Sequence, residues 1–155
     1  MKTSFTPPDP SRFETVMDGS PIFLYRLEHE NGMRAWISNY GSTLVAIQVP
    51  DGRGGWDPVV GYDEIAQDIN GRSYMGGLIG RTSNRIAFAK FLIDGRETQL
   101  AMNGGKHQLH GGVNGFNGKV WTVLEQKKTG CAWNMSAPMA KRAIPETVAS
   151  KLSRN

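Results

Sequence analysis

The chain has 155 residues, 39% of them hydrophobic and 21% charged, with 19 glycines, 8 prolines and one cysteine, Cys131. That length suits a single domain with a buried core. The composition excludes wholesale disorder, and a lone cysteine excludes both an intrachain disulfide framework and a multi-cysteine zinc site. The net charge of +4 sits near the end: Lys127, Lys128, Lys141, Arg142, Lys151 and Arg154 face only Glu146, whereas earlier the two signs nearly balance. Nucleic-acid binding is therefore a weak reading. No apolar run is long enough to cross a bilayer, and the start, MKTSFTPPDPSRF, lacks the apolar stretch of a secretory signal. A soluble cytoplasmic protein with no membrane or nucleic-acid partner is the expectation.

In chain order, residues 1–21 read as an irregular lead-in, with Pro7, Pro8 and Pro10 close together. Short strands separated by turns follow. Ile22–Leu27 is the first, then the turn Glu30-Asn31-Gly32, then Met33–Asn39, and then Thr43–Val49 closed by Pro50-Asp51-Gly52. Glu64–Asp68 has the look of one helical turn. The clearest hairpin joins Arg85–Ile93 to Arg96–Leu100 through Asp94-Gly95, a pair that tolerates positive φ at both positions. Lys119–Leu124 is a further strand. The pattern predicts an all-β protein, an antiparallel β-sandwich or larger sheet stack. After Thr129 the alternation stops, no hairpin is obvious, and Ala143–Leu152 could form a short helix.

The sequence has no phosphate-binding loop, dinucleotide fingerprint, HExxH or GxSxG. Polar groups gather in two places, Gly80-Arg81-Thr82-Ser83-Asn84-Arg85-Ile86 and Asn103-Gly104-Gly105-Lys106-His107-Gln108-Leu109-His110-Gly111-Gly112. Adjacent Asn and Arg suit vicinal hydroxyls, because a guanidinium offers a planar fork of donors and an amide both donates and accepts. A histidine among glycines can sit where backbone approaches a ligand. Equally, an Arg or Asn that begins a strand is usually a surface or turn residue, and a loop histidine is usually solvated. His29 lies in a plain polar stretch; His107 is ambiguous and His110 better placed.

Taken in order, the motifs resemble the N-terminal part of the aldose 1-epimerase (galactose mutarotase) family. The matching pieces are Ser38-Asn39-Tyr40-Gly41, Val49-Pro50-Asp51, Val59-Val60-Gly61-Tyr62-Asp63, Gly80-Arg81-Thr82-Ser83-Asn84-Arg85-Ile86, the Asp94-Gly95 hairpin, Leu109-His110-Gly111-Gly112, Gly115-Phe116 and Lys119-Val120-Trp121. The resemblance covers about residues 22–128. It implies a large β-sandwich with an open sugar cleft, and a reaction without cofactor or metal that interconverts α and β anomers of hexoses such as galactose or glucose. It also implies that Asn84, Arg85 and His110 bind substrate and that Arg81 and the glycines shape the loop. Val59-Val60-Gly61 lacks the Leu that commonly precedes this Gly, which predicts a one-residue slip in a strand.

The family's acid, a second His, and its base, a Glu, fall in segments absent from these 155 residues, and neither Glu125 nor Glu146 stands in the base's motif. The resemblance therefore implies a truncated, inactive and poorly soluble chain, with the sandwich incomplete. Three other readings are a non-catalytic carbohydrate-binding module, a sugar-phosphate epimerase relative and, last, a basic nucleic-acid binder. The tail has its own explanation. Reading the codons of residues 130–147 from the third base of each residue into the next permits Val-Arg-Leu-Glu-His-Glu-Arg-Ala-Asp-Gly-Glu-Glu-Gly-Tyr-Pro-Gly-Asn, which resembles the loop that follows in family members. Trp133 and Met139, with one codon each, force the Glu and Gly at their positions. The expectation is a domain over 22–129 followed by a frameshifted tail over 130–155.

Overall fold

The computed structural model describes residues 6–50, 56–58, 61–71 and 73–134. Val59 and Val60, where the strand slip is expected, lie outside the described residues, as do positions 135–155 with the proposed Ala143–Leu152 helix. The described residues form antiparallel strands with one short α-helix, α1 (Ile65–Asn70). This is the all-β class that the sequence predicts. Among them, no helix is long and apolar enough to cross a membrane. The described residues divide into two compact units, one holding those up to Leu78 and from Val120 to Asn134, the other Ile79–Lys119.

The first unit opens differently from the expected irregular lead-in. A 3-10 turn at Pro10–Phe13, capped by the Asp9 carboxylate on the Ser11 N–H, leads into a hairpin of β1 (Thr15–Met17) and β2 (Ser20–Ile22). Asp18 and Gly19, with φ of 50° and 76°, make its turn. This is the same residue pair, in the same left-handed conformation, as the hairpin turn Asp94-Gly95.

The main sheet is four-stranded, in the order β3 (Leu24–Glu28), β4 (Arg34–Ser38), β5 (Thr43–Pro50) and β6 (Trp56–Pro58). Trp36 pairs with Ala46 while Ile37 pairs with Leu44, so Val45 is the extra residue of a bulge. The bulge breaks the period-two alternation and buries two successive side chains, Val45 and Ala46. They join Phe13, Ile22, Trp36, Tyr40 and Ile65 in the core of this unit. The Ser38-Asn39-Tyr40-Gly41 stretch then turns the chain. Buried Asn39 accepts the Phe23 N–H at 2.7 Å and donates to the carbonyls of Pro21 at 3.0 Å and Trp121 at 3.2 Å.

β11 (Thr122–Lys127) pairs with β12 (Gly130–Asn134), with Leu124 as the bulged residue. The hairpin that the sequence did not signal is thus present, and it crosses the expected domain boundary at residue 129. Pairing of this kind uses backbone N–H and C=O groups, which every non-proline residue supplies. It therefore forms without the side-chain alternation on which the sequence reading depends.

In the second unit, the single strand expected over Arg85–Ile93 is two strands. β7 (Arg85–Ile86) pairs with β10 (Gln108–Leu109), and β8 (Lys90–Ile93) pairs with β9 (Arg96–Gln99). Between β7 and β8 lies a 3-10 turn, Ala87–Ala89, in which Phe88 and Ala89 have φ of 52° and 51°. Left-handed residues cannot continue a strand, so the ladder breaks there. The core is small: Ala89 and Leu100 are buried, with Ile86 and Phe91 packed against them.

Candidate functional site

Asn84, Arg85 and His110 come together at one end of the β7–β10 ladder, where Arg85 pairs with Leu109. Asn84 and His110 are bonded in both directions. The His110 N–H donates to the Asn84 carbonyl at 2.9 Å, and the Asn84 N–H donates to His110 Nδ1 at 3.1 Å. Both residues are left-handed, with φ of 59° and 50°. That conformation ends the strand pairing and turns the two side chains out of the alternation. Because Nδ1 is engaged as an acceptor, the neutral His110 ring carries its proton on Nε2. Arg85 is exposed, and its Nη1 reaches the Asn84 side-chain oxygen at 3.5 Å, a long and weak contact.

Two devices hold this end in place. Asn103 accepts the Leu109 N–H at 2.7 Å and donates to the Leu109 carbonyl at 2.8 Å, so its amide pairs with the residue before His110 as a facing strand would. Beneath, Gln108 is buried and accepts from the Thr82 hydroxyl at 3.4 Å. On the other side of His110, Gly111 has φ of 85°, and a Cβ there would run into the Gly80 carbonyl oxygen. A Cβ on Gly80 would in turn run into the Phe116 ring. The Arg81 guanidinium lies over Phe116, 5.7 Å from the ring centroid. The sequence pointed to the Asn103 segment but not to the role of its amide.

The site can offer hydroxyl-bearing ligands a planar fork of donors from Arg85, a donor and acceptor from the Asn84 amide, and an imidazole N–H from His110. Between Ile79 and Lys119 the only carboxylates are Asp94 and Glu97, at the β8–β9 hairpin, and Glu97 is paired with Lys90 at 2.9 Å. Of the other histidines, His29 accepts the Asn31 N–H in an exposed turn. His107 lies at the opposite end of the ladder, where its Nδ1 accepts the Phe88 N–H at 3.0 Å.

The fold is similar to that of galactose mutarotase-like proteins of known structure. A GalM/aldose epimerase homologue from C. elegans superposes with a TM-score of 0.72 at 27% identity, over 79% of this chain and 38% of that one. The family model for aldose 1-epimerase matches residues 24–142, and the chain belongs to that family. Galactose mutarotase from Homo sapiens is 41% identical over 110 residues, which is 70% of this chain and 32% of that protein. Aldose 1-epimerase from Escherichia coli is 30% identical over 131 residues, 83% of this chain and 37% of that protein. The chain spans about a third of the length of these relatives.

Proposed function

We propose that this chain carries the substrate-binding share of an aldose 1-epimerase, with Asn84, Arg85 and His110 gripping the hydroxyls of a hexose such as galactose or glucose. The observation that carries the reading is the two-way bonding of Asn84 and His110 beside Arg85. It brings Asn84 and His110 together beside Arg85 at one ladder end, in a family whose named relatives include a galactose mutarotase and an aldose 1-epimerase.

In that reaction a base takes the proton from the anomeric hydroxyl while an acid protonates the ring oxygen. The bond from C1 to the ring oxygen breaks, the aldehyde end rotates, and closure gives either anomer. Acid and base must both lie within hydrogen-bond reach of those oxygens. The acid His and base Glu that the resemblance implies are not among these 155 residues in their motifs. Tested alone, this polypeptide is therefore expected to bind hexose without accelerating mutarotation, which is the behaviour of a carbohydrate-binding module. Arg81, stacked on Phe116, acts on the shape of the loop rather than on sugar.

Within the same reading, residues 22–129 are family sequence in frame and 130–155 are the product of a one-base loss near Thr129–Gly130, although the family-model match runs on to residue 142. Strand β12 is compatible with either origin, since its pairing is made by backbone. Sequencing the coding DNA across codons 125–155 and beyond tests this directly. The expected result is a shifted frame that encodes the Gly-Tyr-Pro-Gly loop and then a His and a Glu, with mutarotation of α-galactose appearing in polarimetry once the frame is restored. DNA without such a segment, or normal mutarotation by the 155-residue chain itself, overturns the respective claim.

A further inference from the structure

Phe88 occupies a position that its residue type does not favour. Its φ of 52° lies in the left-handed region, where a bulky side chain is an outlier and glycine is the ordinary choice, and Ala89 follows at 51°. The ring is nevertheless 56% exposed, so core packing does not account for a Phe there. Instead, the facing strand braces it. His107 Nδ1 accepts the Phe88 N–H at 3.0 Å, and the imidazole lies against the Phe88 ring with centroids 5.5 Å apart. The Lys106 ammonium sits over the ring at 5.1 Å.

The arrangement repeats the device at the other ladder end, where His110 Nδ1 accepts the N–H of left-handed Asn84. With Nδ1 engaged, the neutral His107 ring also carries its proton on Nε2. His107 immediately precedes β10 and is two residues before Leu109, which pairs with Arg85, a separation along the chain of about 7 Å that is within the reach of a two-ring sugar.

We propose that Phe88, with His107, forms a second sugar subsite next to the Asn84–Arg85–His110 site. The Phe88 ring takes the C–H face of a second, neutral pyranose attached to the hexose, and the His107 imidazole donates to one of its hydroxyls. An aromatic face beside fixed hydrogen-bond donors matches a pyranose, which is apolar across its ring and polar around its rim. Backbone strain held in place by surrounding contacts points the same way, because such strain gathers at ligand sites. The proposal rests on the hexose reading of the first site.

The test is calorimetric titration of the full chain with glucose, maltose and isomaltose, which share the reducing-end ring and differ by the second one. At least one disaccharide is expected to bind 5-fold or more tightly than glucose. Phe88→Gly, which suits the left-handed backbone, is expected to remove that gain and leave glucose affinity unchanged, while Phe88→Tyr keeps it. Equal affinity for all three sugars, or a loss common to all three in Phe88→Gly, overturns the proposal. Arg85→Ala separates the two readings. If it abolishes glucose binding while neither disaccharide gains over glucose, the first site stands and the second falls. If it leaves glucose binding intact while Phe88→Gly still removes the disaccharide gain, the second stands and the first falls.

Discussion

The two units are stabilised differently. In the first, Trp36, Tyr40, Val45 and Ala46 are buried with Phe13, Ile22 and Ile65, and the sheet owes its place to apolar burial. In the second, Ala89 and Leu100 form the buried core among the described residues, and the ladder that carries the candidate site is held by amide and imidazole bonds to backbone and by close glycine packing. A recognition surface needs its polar groups exposed, so it cannot be held by burying them. The substitute is a set of directional bonds to backbone, each worth about 1 kcal/mol.

The contrast predicts how each unit responds to substitution. The largest effect is expected from Trp36→Ala, which should cost about 3–5 kcal/mol in denaturant unfolding and broaden or abolish the transition. Asn39→Ala comes next. It leaves the Phe23 N–H and the carbonyls of Pro21 and Trp121 without their partner, a cost of about 3 kcal/mol in the same measurement, although the change removes no apolar surface. In the second unit, Gly111→Ala is expected to cost about 2 kcal/mol through its left-handed φ and the collision with Gly80, and to abolish galactose binding by displacing His110. Unchanged binding there would break the argument that glycine packing positions the site.

The smallest effect concerns Asp68 on α1. Its carboxyl is half-buried, one oxygen has no hydrogen-bond partner among the described residues, and burial raises its pKa from 3.8 to about 6. The folded state then holds a proton that the unfolded state has released between those values. Stability from this group is therefore greatest below pH 4 and falls as pH rises to 6. The same carboxylate, together with burial, raises the pKa of Tyr40. Asp68→Asn should flatten this decline and raise stability at pH 7 by about 1 kcal/mol, a figure reduced for its partial exposure. A variant whose stability declines as steeply as the parent's between pH 4 and 6 would show that Asp68 is not its cause.

What the sequence revealed follows the same division. The strands of the first unit were legible because apolar runs and turn pairs mark them: Met33–Asn39 contains β4 and Thr43–Val49 lies within β5. The turn rule that identified Asp94-Gly95 also applied to Asp18-Gly19, but the prolines before it disguised that hairpin. The break in Arg85–Ile93 was hidden because Phe88 and Ala89 carry no signal for left-handed backbone; Asn or Gly there would have given it. Asn84, Arg85 and His110 were found by resemblance. The brackets around them were not, because Asn103 and His107 act through bonds to backbone that only the folded chain brings within reach.

Titration of the 155-residue chain with galactose is the most direct test of hexose binding at the Asn84–Arg85–His110 ladder end. Saturable binding is expected, weakening at least about 10-fold, or about 1.4 kcal/mol, in Arg85→Ala, with unfolding unchanged in that variant. No saturable binding, or binding that Arg85→Ala leaves intact, would contradict it.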